Sequence, residues 1–176
     1  KHAHVARSGS FIFWLPVGGT GTHLVMIPDE QTHLEYFEED FADYARGGGS
    51  YKVYIHSAID GGQKKSGTWR QPHTKLKLTP GQEKEYGFQF FWGNDYAEIR
   101  NILYQNGGFD IRVAPGMVVP EDLTVRFALR SRHDIEKIVP EFAHETQMEY
   151  LGKKTGDHHI YQVKFSKLGE NVLTVH

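Results

Sequence analysis

The sequence predicts a mostly β fold: an antiparallel β-sandwich, a single linking helix, and a second β-sandwich toward the C-terminus. Three observations carry this. Aromatic residues make up 13% of the chain and it holds 19 glycines, a balance that suits strands broken by many turns. Apolar residues alternate with polar ones in most segments, as in Leu123-Thr124-Val125-Arg126-Phe127-Ala128-Leu129. The best helical spacing falls in one window, residues 95–105.

Taken in order, residues 11–15 form a continuous apolar run between Ser10 and Pro16, which reads as a strand covered on both faces; a buried helical segment is the alternative that periodicity leaves open. Gly18-Gly19-Thr20-Gly21-Thr22 reads as a hairpin turn and not a phosphate loop, because no Gly-Lys-Ser/Thr ending and no helix signal follow. Residues 23–28 return as the partner strand, and residues 32–37 make a third with Leu34 and Tyr36 on one face. Residues 38–46 are acidic and end in Gly47-Gly48-Gly49, giving a helical turn or a solvated loop with the mobility to close over a ligand. Residues 51–57 are a strand. Residues 60–67 are polar, and Pro72 holds Gln71 extended, so residues 68–73 should be irregular. Leu76 and Leu78 alternate with lysines as a strand that the turn at Pro80-Gly81 stops. Tyr86, Phe88 and Phe90 then alternate into Phe91-Trp92, which fits a half-buried strand.

The helix over residues 95–105 sets Tyr96, Ile99, Ile102 and Leu103 on one face, with Asn94 or Asp95 as N-cap and Asn106-Gly107-Gly108 as the stop. This places a β-sandwich region at residues 1–106 and a second domain at residues 107–176. In the second, strand patterns at residues 111–113, 123–129, 135–139, 148–151, 160–165 and 172–175 are separated by turn signals at intervals of roughly ten residues, the rhythm of an immunoglobulin-like sandwich. The first residue is not Met and a strand pattern runs to the last residue, so the chain is expected to be part of a longer protein, truncated at its C-terminus.

A formal net charge of −2 gives none of the basic excess that a dedicated nucleic-acid binder uses, and no apolar run approaches the ~20 residues of a membrane span. Nucleic acid and membrane are therefore not expected partners. Without cysteine there is no disulfide, thiolate ligand or cysteine nucleophile. Of the eleven histidines, His2 and His4 would point the same way from a strand and His158-His159 opposite ways; no His-x-x-x-His spacing occurs, so neither metal nor cofactor is expected. Glu35, Glu38, Glu39, Asp40 and Asp43 are close in sequence, which describes a solvated acidic face and not two carboxylates opposed across a scissile bond. No Gly-x-Ser-x-Gly elbow is present, and no catalytic residue is assigned.

The aromatic residues point to sugar. Flat rings beside polar groups stack on the apolar C–H faces of pyranoses. Trp69 stands between glycine and proline in a polar loop with Arg70, Gln71 and His73, all able to hydrogen-bond hydroxyls, and Tyr44 joins them from the acidic loop. These five are the expected ligand-binding residues, with core packing as the other reading of Trp69. Trp14 and Trp92, inside apolar runs, read as core.

Gly67-Thr68-Trp69-Arg70-Gln71-Pro72, followed by Leu78-Thr79-Pro80-Gly81 and the strand from Tyr86 to Trp92, resembles the last strands of the β-supersandwich that precedes an (α/α)6 barrel in bacterial six-hairpin polysaccharide-processing proteins. The helix before Asn106 is similar to their linker helix, and residues 115–175 then look like an immunoglobulin-like module. The resemblance implies a polysaccharide or oligosaccharide partner, a downstream helical domain of the same parent, and an extracellular or periplasmic setting. The catalytic acid of such proteins usually lies in the barrel, whose helices this sequence lacks, so no catalytic residue carries over. The expected function is a non-catalytic, carbohydrate-associated region. The alternatives are a piece of a glycoside hydrolase or lyase whose chemistry lies outside the chain or in the acidic loop at residues 35–43, and a structural or protein-interaction module.

Overall fold

The computed structural model describes residues 2–40, 50–59, 70–154 and 156–176. The chain is mostly antiparallel β-sheet with one α-helix among the described residues, as its alternation predicts. It divides into two compact units, Lys1–Asp95 and Tyr96–His176, so the helix belongs with the second.

In the first unit, β1 (His2–His4), β2 (Phe11–Trp14), β3 (His23–Pro28) and β6 (Phe88–Gly93) form one sheet in the order β1-β2-β3-β6. Ile12 on one face of β2 and Phe13 on the other are both buried, and Val25 of β3 is buried against the Phe13 row. That is why residues 11–15 carry no polar alternation: the strand is covered on both sides. The glycine-rich turn joins β2 and β3 as a hairpin. A second hairpin pairs β4 (Tyr36–Asp40) with β5 (Ser50–Tyr54), with Tyr36 opposite Tyr54 and Phe37 opposite Val53.

Three expected elements differ. Residues 38–40, expected in a helical turn or loop, complete β4 and pair with β5, while residues 41–46 lie outside the described residues. The strand expected at residues 32–37 begins only at Tyr36; Leu34 makes an isolated bridge to Arg7. Leu76 and Leu78 are not in a strand, and both are more than two-fifths exposed. Their alternation with lysine supplies an apolar face, but among the described residues no ladder partner lies beside them. The turn that follows does form: Gln82 N–H donates to the Thr79 carbonyl at 3.0 Å, with Gly81 at φ +83° behind Pro80.

The second unit opens with α1 (Tyr96–Gln105), which buries Ile99 and Leu103 and ends where Asn106 caps the Ile102 carbonyl through backbone and side chain. A four-stranded sheet follows, in the order β10-β11-β8-β7: β7 is Asp110–Ala114, β8 Val125–Arg130, β10 Thr146–Lys154 and β11 His158–Phe165. A two-stranded sheet pairs β9 (Ile138–Pro140) with β12 (Leu173–Val175). Val125, Phe127 and Leu129 from β8 and Tyr161 and Val163 from β11 face Ile138 of β9, with Leu173 and Val175 of β12 packed alongside. Two sheets closing on one apolar layer is a sandwich.

Candidate functional site

Two features of the first unit bear on ligand binding. The first is an aromatic row on β6. Register places Trp92 beside Leu24, Phe90 beside Met26 and Phe88 beside Pro28, all on one face, while Phe91 lies beside buried Val25 on the other. The row is open: Phe88, Phe90 and Trp92 are 38%, 58% and 67% exposed. The expectation that Trp92 is core is thus corrected. An apolar run does not say which of its two faces is covered, and here Val25 and Phe13 claim Phe91 instead.

The entry to β6 is fixed at Gly87. Its N–H donates to Thr32 Oγ1 at 2.9 Å and its carbonyl accepts from Asp29 N–H at 3.0 Å. A Cβ at this position would come within 2.9 Å of Asp29 Cγ, so glycine permits the close approach of the two segments. Hydrogen bonds to Asp29 from Thr32 and from backbone N–H groups lower its carboxyl pKa and keep this turn charged.

The second feature is built on Glu35, which is 3% exposed. Its carboxylate accepts Ser57 N–H and Oγ–H, both at 3.1 Å, Thr74 N–H at 2.8 Å, and the Thr74 hydroxyl. Burial pushes the Glu35 carboxyl up, and the hydrogen bonds from Thr74 and Ser57 more than offset it, so its pKa lies below the ordinary 4.5. Each hydroxyl also meets an imidazole: Ser57 Oγ lies 2.7 Å from His73 Nδ1, and Thr74 Oγ1 lies 2.8 Å from His56 Nδ1. Because both hydroxyl protons go to Glu35, both imidazoles donate from Nδ1. His56 Nε2 then faces the Tyr86 hydroxyl at 2.5 Å.

This arrangement fixes proton positions but does not make a nucleophile. The Ser57 hydroxyl proton is held by a carboxylate and Ser57 is buried, so its pairing with His73 lacks the direction of a Ser–His couple. Nor is Glu35 part of a solvated acidic face, as its neighbours in sequence implied; it is an internal anchor between β4, the end of β5 and residues 73–74. Glu38 is engaged separately, accepting the Tyr54 hydroxyl at 3.1 Å.

Of the expected ligand-binding residues, Trp69 and Tyr44 lie outside the described residues. Arg70 is exposed, Gln71 half-buried, and His73 half-buried with its ring edge-on to Tyr36 at 5.7 Å. His73 is therefore tied to the Glu35 network. His2 and His4 do share a side, where His2 stacks on Phe13 at 4.7 Å and His4 lies tilted against Phe11 at 5.2 Å; burial lowers the pKa of His4. Among the described residues no three His, Asp or Glu side chains gather as metal ligands.

Sheets, hairpins and an exposed aromatic row on β6 define a mostly antiparallel β protein. The chain belongs to the family described as "Family of unknown function (DUF5695)", which it matches over residues 4–176. No curated protein and no solved structure matches it.

Proposed function

We propose that this chain is a non-catalytic, glycan-binding β region of a polysaccharide-processing protein, and that the sugar chain lies along β6. The observation that carries the reading is the row Phe88, Phe90 and Trp92: three aromatic side chains at alternate positions of one strand, increasingly exposed toward its end. Alternate residues of a strand are about 7 Å apart on one face. Such a row offers successive rings to the C–H faces of successive sugar units. Thr22 and Asn94, whose side chains meet at 3.5 Å near the end of the row, supply polar groups for hydroxyls. The resemblance of Gly67–Pro72 and Leu78–Trp92 to the sandwich of six-hairpin proteins supports the same reading, and with it an extracellular or periplasmic setting.

The test is titration of the chain with a panel of neutral oligosaccharides, read by calorimetry. Trp92→Ala and Phe90→Ala should each weaken binding by about 1–3 kcal/mol, the range for aromatic anchors, with an unchanged melting temperature. If no glycan binds, or if binding survives both substitutions together, the row is a packing surface for another protein segment and the reading fails.

A further inference from the structure

The outer face of the four-stranded sheet in the second unit, opposite its apolar core, is unusually basic. Register builds it from cross-strand rows. One pairs Asp110 with Arg130 across β7 and β8 and His158 with Lys154 across β11 and β10, with His158 reaching Asp110. The next runs Arg112, Ala128, Ile160, Gly152, and the third Ala114, Arg126, Gln162, Glu149. The middle row beyond Arg112 is therefore a low floor of small and apolar residues, with exposed Lys154 on one flank and exposed Arg126 on the other. The floor crosses the strands.

Charge on this face is out of balance. Asp110, 1% exposed, is approached by Arg130 at 3.2 Å, Arg100 at 3.4 Å and Arg112 at 3.6 Å, and His158 Nε2 lies 3.3 Å away. One buried carboxylate cannot neutralise three guanidiniums. Its Oδ1 and the Nε atoms of Arg100 and Arg130 are buried without a well-directed hydrogen bond, so the cations are held near the carboxylate without being saturated by it. Arg130 is further fixed over the Tyr104 ring at 4.0 Å. Arg126, held by Gln162 Oε1 at 3.1 Å, and Lys154 are exposed and extend the field, against which Glu149 is the other carboxylate of the three rows. This local excess sits on a chain whose formal net charge is −2.

We infer that this face binds the carboxylates of an acidic, uronate-bearing glycan laid along the floor between the cationic flanks. The inference rests on the glycan reading above and names its ligand class. Arginine suits carboxylates because its planar fork pairs with both oxygens. A polymer suits the floor because the exposed cations Arg112, Arg126 and Lys154 stand on three different strands. A nucleic acid fits less well: the three rows hold no Phe, Tyr or Trp on which a base could stack.

The experiment titrates the full chain, at low and at high salt, with a polygalacturonate oligomer, a neutral oligosaccharide, a sulfated dextran and a single-stranded DNA oligonucleotide. Binding of the polygalacturonate oligomer should be preferred over the sulfated and nucleic polyanions and should weaken as salt rises. The double substitution R112Q/R126Q should weaken it by about tenfold, as two screened ion pairs would. The exposed Lys154→Gln should act in the same direction, and gives an independent readout should R112Q/R126Q melt early. Neutral-sugar affinity should not respond to these variants, whereas Phe90→Ala and Trp92→Ala should lower it. Unchanged uronate binding in both charge variants overturns this inference alone. Tighter binding of sulfated dextran or DNA overturns the assignment to uronate, and absence of binding to any glycan overturns the underlying reading.

Discussion

At the scale of the residue, Glu35 shows how one carboxylate can organise distant chain. Four donors from Ser57 and Thr74 converge on it, and two imidazoles orient those donors in turn. The linkage to pH follows from the sign of its shift. A carboxyl held below the ordinary 4.5 in the fold contributes stability that is fully present above that value and lost as pH falls through the lower folded value. Glu35→Gln keeps the shape but turns an amide N–H₂ toward groups that are themselves donors. It should cost on the order of 2–3 kcal/mol near neutral pH, measured by chemical denaturation. The gap from the parent chain should narrow as pH is lowered below about 4.5, because only the parent has a carboxylate to protonate. An equal gap at both ends of the pH range would mean that Glu35 is not ionised in the fold.

At the scale of the element, β6 and β8 show what alternation does and does not disclose. Both are rich in apolar residues, yet Leu129 of β8 is 1% exposed while Trp92 of β6 is 67% exposed. Leu129→Ala should therefore cost about 2–5 kcal/mol of stability, and Trp92→Ala less than about 1 kcal/mol, in the same thermal or denaturant assay. The strands of the second unit were legible from their own alternation, as at residues 123–129, and β10 and β11 form a local hairpin in which β11 returns along β10 across the turn at Gly156-Asp157. That β8 lies beside β11, and β9 beside β12, no local pattern says. Leu76-Lys77-Leu78 had the same pattern and is no strand, since a ladder needs a partner that its own residues cannot specify. The candidate site was less legible for a related reason. Trp92 and Phe91 are adjacent, and only the register with Leu24 and Val25 decides which one faces out. The Glu35 network joins residues 22 and 39 positions apart, and Asp110 meets His158 at a separation of 48. No local pattern announces such pairs. A sequence signal for the aromatic row did exist, in Phe88, Phe90 and Trp92 at every second position, but it reads equally as core.

At the scale of the whole molecule, the chain divides into two compact units. In the second, Val125, Phe127, Leu129, Ile138, Tyr161 and Val163 gather in a single cluster among the described residues. A chain restricted to residues 96–176 should thus fold cooperatively, showing a sigmoidal melt and dispersed amide resonances. Loss of cooperativity in that fragment would show that its core depends on residues 1–95.

The position of β6 at the end of its sheet has one more consequence. Among the described residues no strand lies beyond it, so its outer N–H and C=O groups are not used in a ladder there. The six residues Phe-Gln-Phe-Phe-Trp-Gly carry no charge and no proline. An uncharged aromatic edge is a template on which a like strand from another molecule can add. Concentrated solutions of this chain should accordingly drift toward cross-β assemblies. An oligosaccharide seated on the aromatic row would oppose that drift by occupying the surface on which stacked sheets interdigitate. A glycan would then act as a solubility factor as well, keeping this uncharged edge strand from meeting its own copies.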